Sequence, residues 1–592
     1  MGGGDLNIEA GGSITNFSAS APTTGRYTDD GSGNYRIDGG GNLNVRAGGD
    51  IRSGVYYAGR GEVRLQAGGE IAAAPGTFGT AIALQDASAE VRAGKGAFLE
   101  TVFNPTLWAQ TSNVTNSLST TGDSSFFNTY GQDSALRLSA LNGNVRFGLG
   151  ASSSIRNAPG LNGSVSAAGS ALELHPGSVK ATAFGGDISL RRLVMTPAAG
   201  GDLQLLAANN ISTEGTAYVV MSDADPGLLP SIGRPLAGSG NLGSELVKYR
   251  TQNAPTPLHA SDATPLAIVA RDGSISMIGS DVGANVSNAA PGLTTAKSSY
   301  LRAGKDITLN AKIQQVNAGD LTVVDAGRDF LLSAGRKQTR LEIAGPGELL
   351  VKAGRNIDLA DTTGILSVGN TTNSALPEQG ASISLMAGLG DSGPALDAYL
   401  ARYILPAETG SETSSMLLAF MRQITGNQAL GEQAAKTQFL ALDADRQLLF
   451  VNRHFSSELL ADGKAFAVTQ NHVRGDTAIA TLFPRDQKYA GDILMYKSQI
   501  RTLRNGSIDF VAPGGLINAG VPGDVGDLGH DIGVVTEIGG AIRAFSEEGF
   551  LVNQSKVITQ YGGDITVWVN NGDIDAGRGS KTAVSVPQRL VA

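Results

Sequence analysis

The sequence predicts an all-β chain, a right-handed parallel β-helix broken by one helical insertion and by surface loop excursions. Three observations predict it. A short phrase recurs at the spacing of one solenoid coil and always runs in the same direction. Within the phrase, apolar and polar residues alternate with a period of two. Glycine is abundant, 80 of 592 residues, while charged residues make up only 17%, so glycine reads as punctuation between short strands.

The clearest copies are Asn42-Leu-Asn-Val-Arg-Ala-Gly-Gly-Asp-Ile51 and Glu62-Val-Arg-Leu-Gln-Ala-Gly-Gly-Glu-Ile71. The phrase returns within 301–309, 320–330 and 348–357, and more loosely at 202–211, 507–517 and 564–574. Leu43, Val45 and Ala47 share one face and Asn44 and Arg46 the other. Gly48-Gly49 then frees the backbone for a tight corner, and Ile51 restarts the apolar face. Spacings of about 20 to 28 residues match one coil. A single coil cannot bury its inward face, but coils stacked at roughly 4.8 Å share one core, and about fifteen to twenty of them make a rod of roughly 70–100 Å. A β-sandwich of hairpins ranks below this, because Asn-Gly and Asp-Gly hairpin signals are occasional and the phrase never reverses.

Three stretches break the rhythm. Residues 103–135 are rich in Ser, Thr and Asn and predict a loop excursion. Residues 215–262 carry Pro226, Pro230, Pro235, Pro255 and Pro257 and predict a long surface loop. Residues 392–465 read as helical. Leu396, Tyr399, Leu400 and Tyr403 follow helical spacing, as do Met416, Leu417, Phe420, Met421 and Ile424 up to Gly426, and Leu448, Val451, Phe455 and Leu459 up to Gly463. Ser411 and Asp443 are candidate N-caps. The expected division is therefore 1–391 β-helix with its two excursions, 392–465 helical insertion, and 466–592 C-terminal coils.

Composition excludes several function classes. A net charge of −9 does not suit the phosphate-neutralising surface of a nucleic-acid binder. With no cysteine, disulfides, thiolate catalysis and Cys-ligated metals are out. No stretch is apolar enough to span a membrane. The first residues lack a basic and then apolar leader, and 5–14 already reads as part of a repeat, so the chain is expected to be a fragment of something longer.

No chemistry-bearing constellation stands out, and no catalytic residue, cofactor or metal site is predicted. His175, His259, His454, His472 and His530 lack metal-ligand spacing, although His454 and His472 flank the end of the helical stretch. Asp187, Asp202, Asp492, Asp564 and Asp573 sit in Gly-Asp-Ile or Gly-Asp-Leu phrases, where turn chemistry accounts for them. Clustered on one solenoid face, such acids would instead suit sugar hydrolysis or Ca²⁺. The run from Gly577 to Thr582 glances at a phosphate-binding loop, but Ser580 separates Gly579 from Lys581. Arg474, Gly475 and Asp476 form the tripeptide read by integrins, a recognition element if shown on an exposed loop. Met416, Phe420 and Met421 suit either a hydrophobic groove or burial against the solenoid.

The phrase resembles the repeat of filamentous-haemagglutinin-type exoproteins of two-partner secretion in Gram-negative bacteria. More specific are 480–484, 489–493, 498–502, 512–518, 552–556 and 572–582, which are similar to the C-terminal region of large haemagglutinins and adhesins. The resemblance implies a β-helical fibre that is secreted or held at the bacterial cell surface. It implies export by a dedicated outer-membrane transporter and a structural, adhesive role in attachment to a host glycan or matrix protein, with no catalytic residues. Two alternatives remain. A carbohydrate-active β-helix enzyme predicts a groove of clustered acids. A ligand-capture module for haem or a host protein predicts a pocket between the helical insertion and the solenoid.

Overall fold

The computed structural model describes residues 3–28, 35–105, 129–150, 172–229, 249–279, 291–332, 338–521 and 532–577. Its strands stack in parallel, rung on rung, along three sides of a coil. In one rung, Ser299–Ala303 forms the first side, Ile307–Leu309 the second and Ala311–Gln314 the third, and the chain then rises to Leu321–Ala326. Each strand pairs with its counterpart in the next rung, Tyr300 with Val323, Ile307 with Phe330 and Ala311 with Leu341.

Stacking turns the repeated phrase into columns. Alanine closes the first side in an unbroken file from Ala10 through Ala47, Ala67 and Ala93 to Ala353. It is the last inward side chain before the corner, and these methyls are buried in the file from Ala47 onward. The next residue is often glycine for a related reason. A Cβ on Gly48 would lie 2.2 Å from the carbonyl oxygen of Gly11, and one on Gly68 2.3 Å from that of Gly48. Close approach of successive corners imposes glycine here. The second side opens on an apolar file in which Ile14, Ile51 and Ile71 stack, as do Ile188, Ile211, Ile275 and Ile307 further on. These columns form one continuous core along the rod.

Helices occupy the chain between Ser382–Met386 and Ile493–Leu494. They are α1 (Leu396–Tyr399, continued by a π-turn to Ile404), α2 (Glu412–Thr425), α3 (Glu432–Leu440), α4 (Ala444–Thr469) and α5 (Val473–Leu482). The Ser411 hydroxyl accepts from the backbone N–H of Ser414, and the Asp443 carboxylate from that of Arg446, so each caps the helix it precedes. Ile357, before the helices, pairs directly with Ile493, after them. The solenoid therefore continues uninterrupted beneath the helical module, which leaves and re-enters at one corner.

Two boundaries read from the sequence shift. The helices continue past 465: Gly463 lies inside α4, which ends at Thr469 with Gln470 in the left-handed conformation, and α5 follows. Gly463 faces the ring of Trp568, and a Cβ there would sit 3.9 Å from it. The stretch 215–262 is not a loop from its start, since Val219–Met221 is a third-side strand stacked on Leu193–Met195. Most of the 103–135 excursion, at 106–128, and the middle of the second, at 230–248, lie outside the described residues.

Two buried histidines link this core to pH. His175 is fully buried, with Nδ1 2.9 Å from the carbonyl oxygen of Glu173. His259 packs beside Lys297, itself paired with Asp262 at 2.7 Å and Asp202 at 3.3 Å. Burial, aided by Lys297 at His259 and Arg191 at His175, lowers both imidazoles to about 4. The folded pKa is depressed, so between pH about 6.5 and 4 the unfolded chain takes up protons that the folded chain refuses. Stability is expected to fall through that window, by about 3 kcal/mol per histidine at pH 4. Urea unfolding at pH 7 and pH 4 measures the loss, and H175Q/H259Q should flatten it; an equal slope in the variant would contradict this origin.

Candidate functional site

From the rung of Tyr300 onward the first side of the sheet changes character on its outward face. In early rungs the outward positions of the first side are polar, Asn44 over Arg64 and Arg46 over Gln66. Under the helices they become apolar: Tyr300, Val323 and Leu350 form one column, and Met386, Val511, Phe545 and Trp568 another. Phe420, Phe439, Phe450, Phe455 and Leu459 of α2, α3 and α4 pack with this face in a second core. Phe455 meets Phe545 edge-on, with ring centroids 5.1 Å apart. Three polar ties fix α4: Arg453 to Glu348 at 2.5 Å, Lys352 to Asp445 at 2.7 Å, and Arg446 to the carbonyl of Gly319 at 2.6 Å.

A cleft of about 650 Å³ opens where this cover ends. Its floor is the outward column Arg302, Asp325 and Lys352, successive in register. Its walls are the start of α4, with Asp445 and Leu448, and the exit turn from Leu389 to Pro394. Arg271 and Val269 form its end toward the N-terminal rungs. Lys352 bridges Asp445 and Asp325, the latter at 3.1 Å. Burial opposes its charge, but the two carboxylates outweigh burial and hold its pKa above the ordinary lysine value. Arg302 stays largely exposed, with its guanidinium 3.9 Å from Asp325. The arrangement offers hydrogen-bond donors and acceptors side by side on a rigid sheet.

The corner acids have another task. Asp187 Oδ1 accepts the backbone N–H of Asn210, and Asn210 Oδ1 that of Ser274. Asp329 Oδ1 then accepts from Asn356, Asn356 Oδ1 from Asp492, and Asp492 Oδ1 from Leu516. Each polar corner residue thus caps a corner amide of the following rung, a ladder beside the sheet ladder. Asp202 pairs with Lys297, and Asp573 lies on an exposed strand of the last described rung. Among the described residues no group of three or more His, Asp or Glu could hold a metal ion.

The other singled-out residues are dispersed. His454 is buried, with Nδ1 3.0 Å from the Tyr399 hydroxyl and Nε2 2.9 Å from Thr413 Oγ1. His472 instead pairs with Asp462 at 2.6 Å, so the two histidines have separate partners. Arg474, Gly475 and Asp476 lie in the first turn of α5, not on a loop. Arg474 grips Glu458 through two hydrogen bonds of 2.7 and 2.8 Å. Gly475 is buried, donates its N–H to Asp462, and faces Trp568, whose ring a Cβ would meet at 3.0 Å. Phe420 and Met421 are buried in the helix–sheet core. Of the run 577–582 only Gly577 is described, and His530 lies outside the described residues.

Trp568 belongs to the final stretch of the chain, and that stretch carries a family likeness. Residues 562–592 match the family described as filamentous haemagglutinin family outer membrane protein. No curated protein and no solved structure matches the chain. The matched segment begins at the last described rung, and its strand Ile565–Val569 supplies the indole under α4 and α5. No helix among the described residues is long and apolar enough to cross a membrane.

The cleft residues Arg302, Asp325 and Lys352 were not singled out by the sequence, because only inter-rung register places them together. A signal was present. Strands Leu321–Ala326 and Glu348–Ala353 lose the polar alternation of Leu43–Ala47, carrying apolar residues outward beside Asp325 in the first and beside Glu348 and Lys352 in the second.

Proposed function

We propose that the chain is a structural and adhesive segment of a two-partner-secretion exoprotein, displayed on or released from the bacterial surface and mediating attachment. The observation that carries this is a parallel solenoid, unbroken beneath its helical module, that runs into a haemagglutinin-family segment. Parallel crossovers in one sheet are right-handed in nearly all proteins, and the coil is right-handed in this reading. Export falls to an outer-membrane transporter partner of the full-length protein, and the binding partner is a host glycan or matrix protein. The ligand-capture alternative draws on the cleft between the helices and the sheet. Beads coated with the purified chain should adhere saturably to cultured epithelial cells or immobilised matrix proteins. If they bind no more than beads coated with albumin, the segment is a spacer and the adhesive reading fails.

A further inference from the structure

The corner file beside the cleft departs from glycine at four successive rungs. Its backbone N–H groups donate to the alanine file, rung after rung: Gly94 to Ala67, Leu141 to Ala93, Phe184 to Ala140, Ala208 to Ala183, Arg271 to Ala207, Gly304 to Ala270. Glycine occupies the file on both sides of this gap, so the corner itself needs no side chain there. Yet Leu141 is 58% exposed and Phe184 61%. With Leu206, also exposed, they form an apolar strip on the same edge of the rod as Arg271 and the cleft.

We propose that cleft and strip together bind an uncharged oligosaccharide laid along the rod axis. This deepens the attachment reading and rests on it. The Phe184 ring offers a flat apolar platform for the CH face of a sugar, about two rungs, or roughly 10 Å, from Arg271. Arg271, Arg302 and Lys352 face Asp325, Asp391 and Asp445 in the cleft lining. Asp272 also pairs with Arg271 at 2.8 Å, so the cleft carries no excess of positive charge, which favours hydroxyl groups over a sulfated or otherwise anionic chain, and guanidinium and carboxylate groups serve hydroxyls as donors and acceptors. An extended peptide fits less well. The first-side strands here are paired on both edges, Ala267 with Gln204 and with Tyr300, so no free edge accepts an added strand.

The test is a titration of the purified chain against neutral hexasaccharides built of glucose, galactose or mannose, beside their sulfated forms and an extended peptide library. At least one neutral hexasaccharide should bind. F184G/R271G places in two corners the residue their neighbours carry, and should weaken that binding about tenfold or more, as loss of a stacking anchor does. R302Q, on the sheet surface, gives a second reading if the corner variant loses its thermal midpoint. Binding of only sulfated chains or peptides, no neutral binding at all, or unchanged affinity in R302Q and a folded F184G/R271G would overturn the inference. Cell adhesion that survives in F184G/R271G would overturn it too while leaving the attachment reading intact. Sugar binding by beads that adhere to no cell would fail the attachment reading alone.

Discussion

Arg453→Ala is expected to destabilise the helical module by about 3–5 kcal/mol, because it strands a buried carboxylate. Glu348 is 2% exposed and lies on the sheet under α4. The Arg453 guanidinium pairs with it at 2.5 Å and sits 5.4 Å from the centroid of the Phe420 ring. Truncating Arg453 removes the counter-charge while α4 continues to exclude water. Removing both charges together, as R453M/E348L, should cost far less, since a well-packed apolar pair replaces a desolvated ionic one. Trp568, beneath α4 and α5, reports detachment through its fluorescence in urea. Equal midpoints for R453A and the natural chain would mean that the pair is solvated.

Excising residues 389–490 is expected to keep the solenoid and destroy its solubility. The cut joins Ala387-Gly388 to Gly491-Asp492-Ile493 and recreates the phrase found at 47–51. Ile357 already pairs with Ile493, so the new corner spans a gap that the fold holds closed. What is lost is the cover over Leu350, Met386, Val511, Phe545 and Trp568. Each large side chain left bare forfeits about 1.5–3 kcal/mol of burial, and a strip of them invites association. Light scattering should show oligomers, and threonine at Met386, Val511 and Phe545 should return the monomer. Loss of strand signal in the excised chain would instead mean that the helices hold the solenoid together.

The same excision shows how far the sequence could be read. The first two sides of the coil are legible because their columns demand particular residues: a β-branched or leucine inward face, alanine at its end, glycine at many corners, and Asp or Asn to cap the next corner. The third side is not, since strands such as Leu193–Met195 and Val219–Met221 are short and are not flanked directly by glycine. Helical spacing at Tyr399, Phe420 and Phe455 reveals amphipathic faces but not what they cover. That answer lay in the sheet, where Met386, Val511 and Phe545 break the polar alternation at outward positions. The cleft was out of reach for a related reason: Arg302, Asp325 and Lys352 are far apart in sequence and become neighbours only through register. The integrin-type tripeptide was readable as a string, but its setting was not. Gly475 is buried against an indole from the end of the chain, which no local pattern announces.

The continuity of the solenoid beneath the helical module is the feature on which the whole architecture depends. It is tested most directly by a disulfide across the re-entry point. Asp358 and Leu494 are outward-facing register partners on adjacent rungs, at a spacing compatible with a bridge, and the chain has no cysteine to compete. In D358C/L494C, mild oxidation should close the bridge nearly completely and leave the strand signal unchanged. Thiols that stay free in the folded protein would show that the rungs before and after the helices do not meet and that the solenoid is interrupted there.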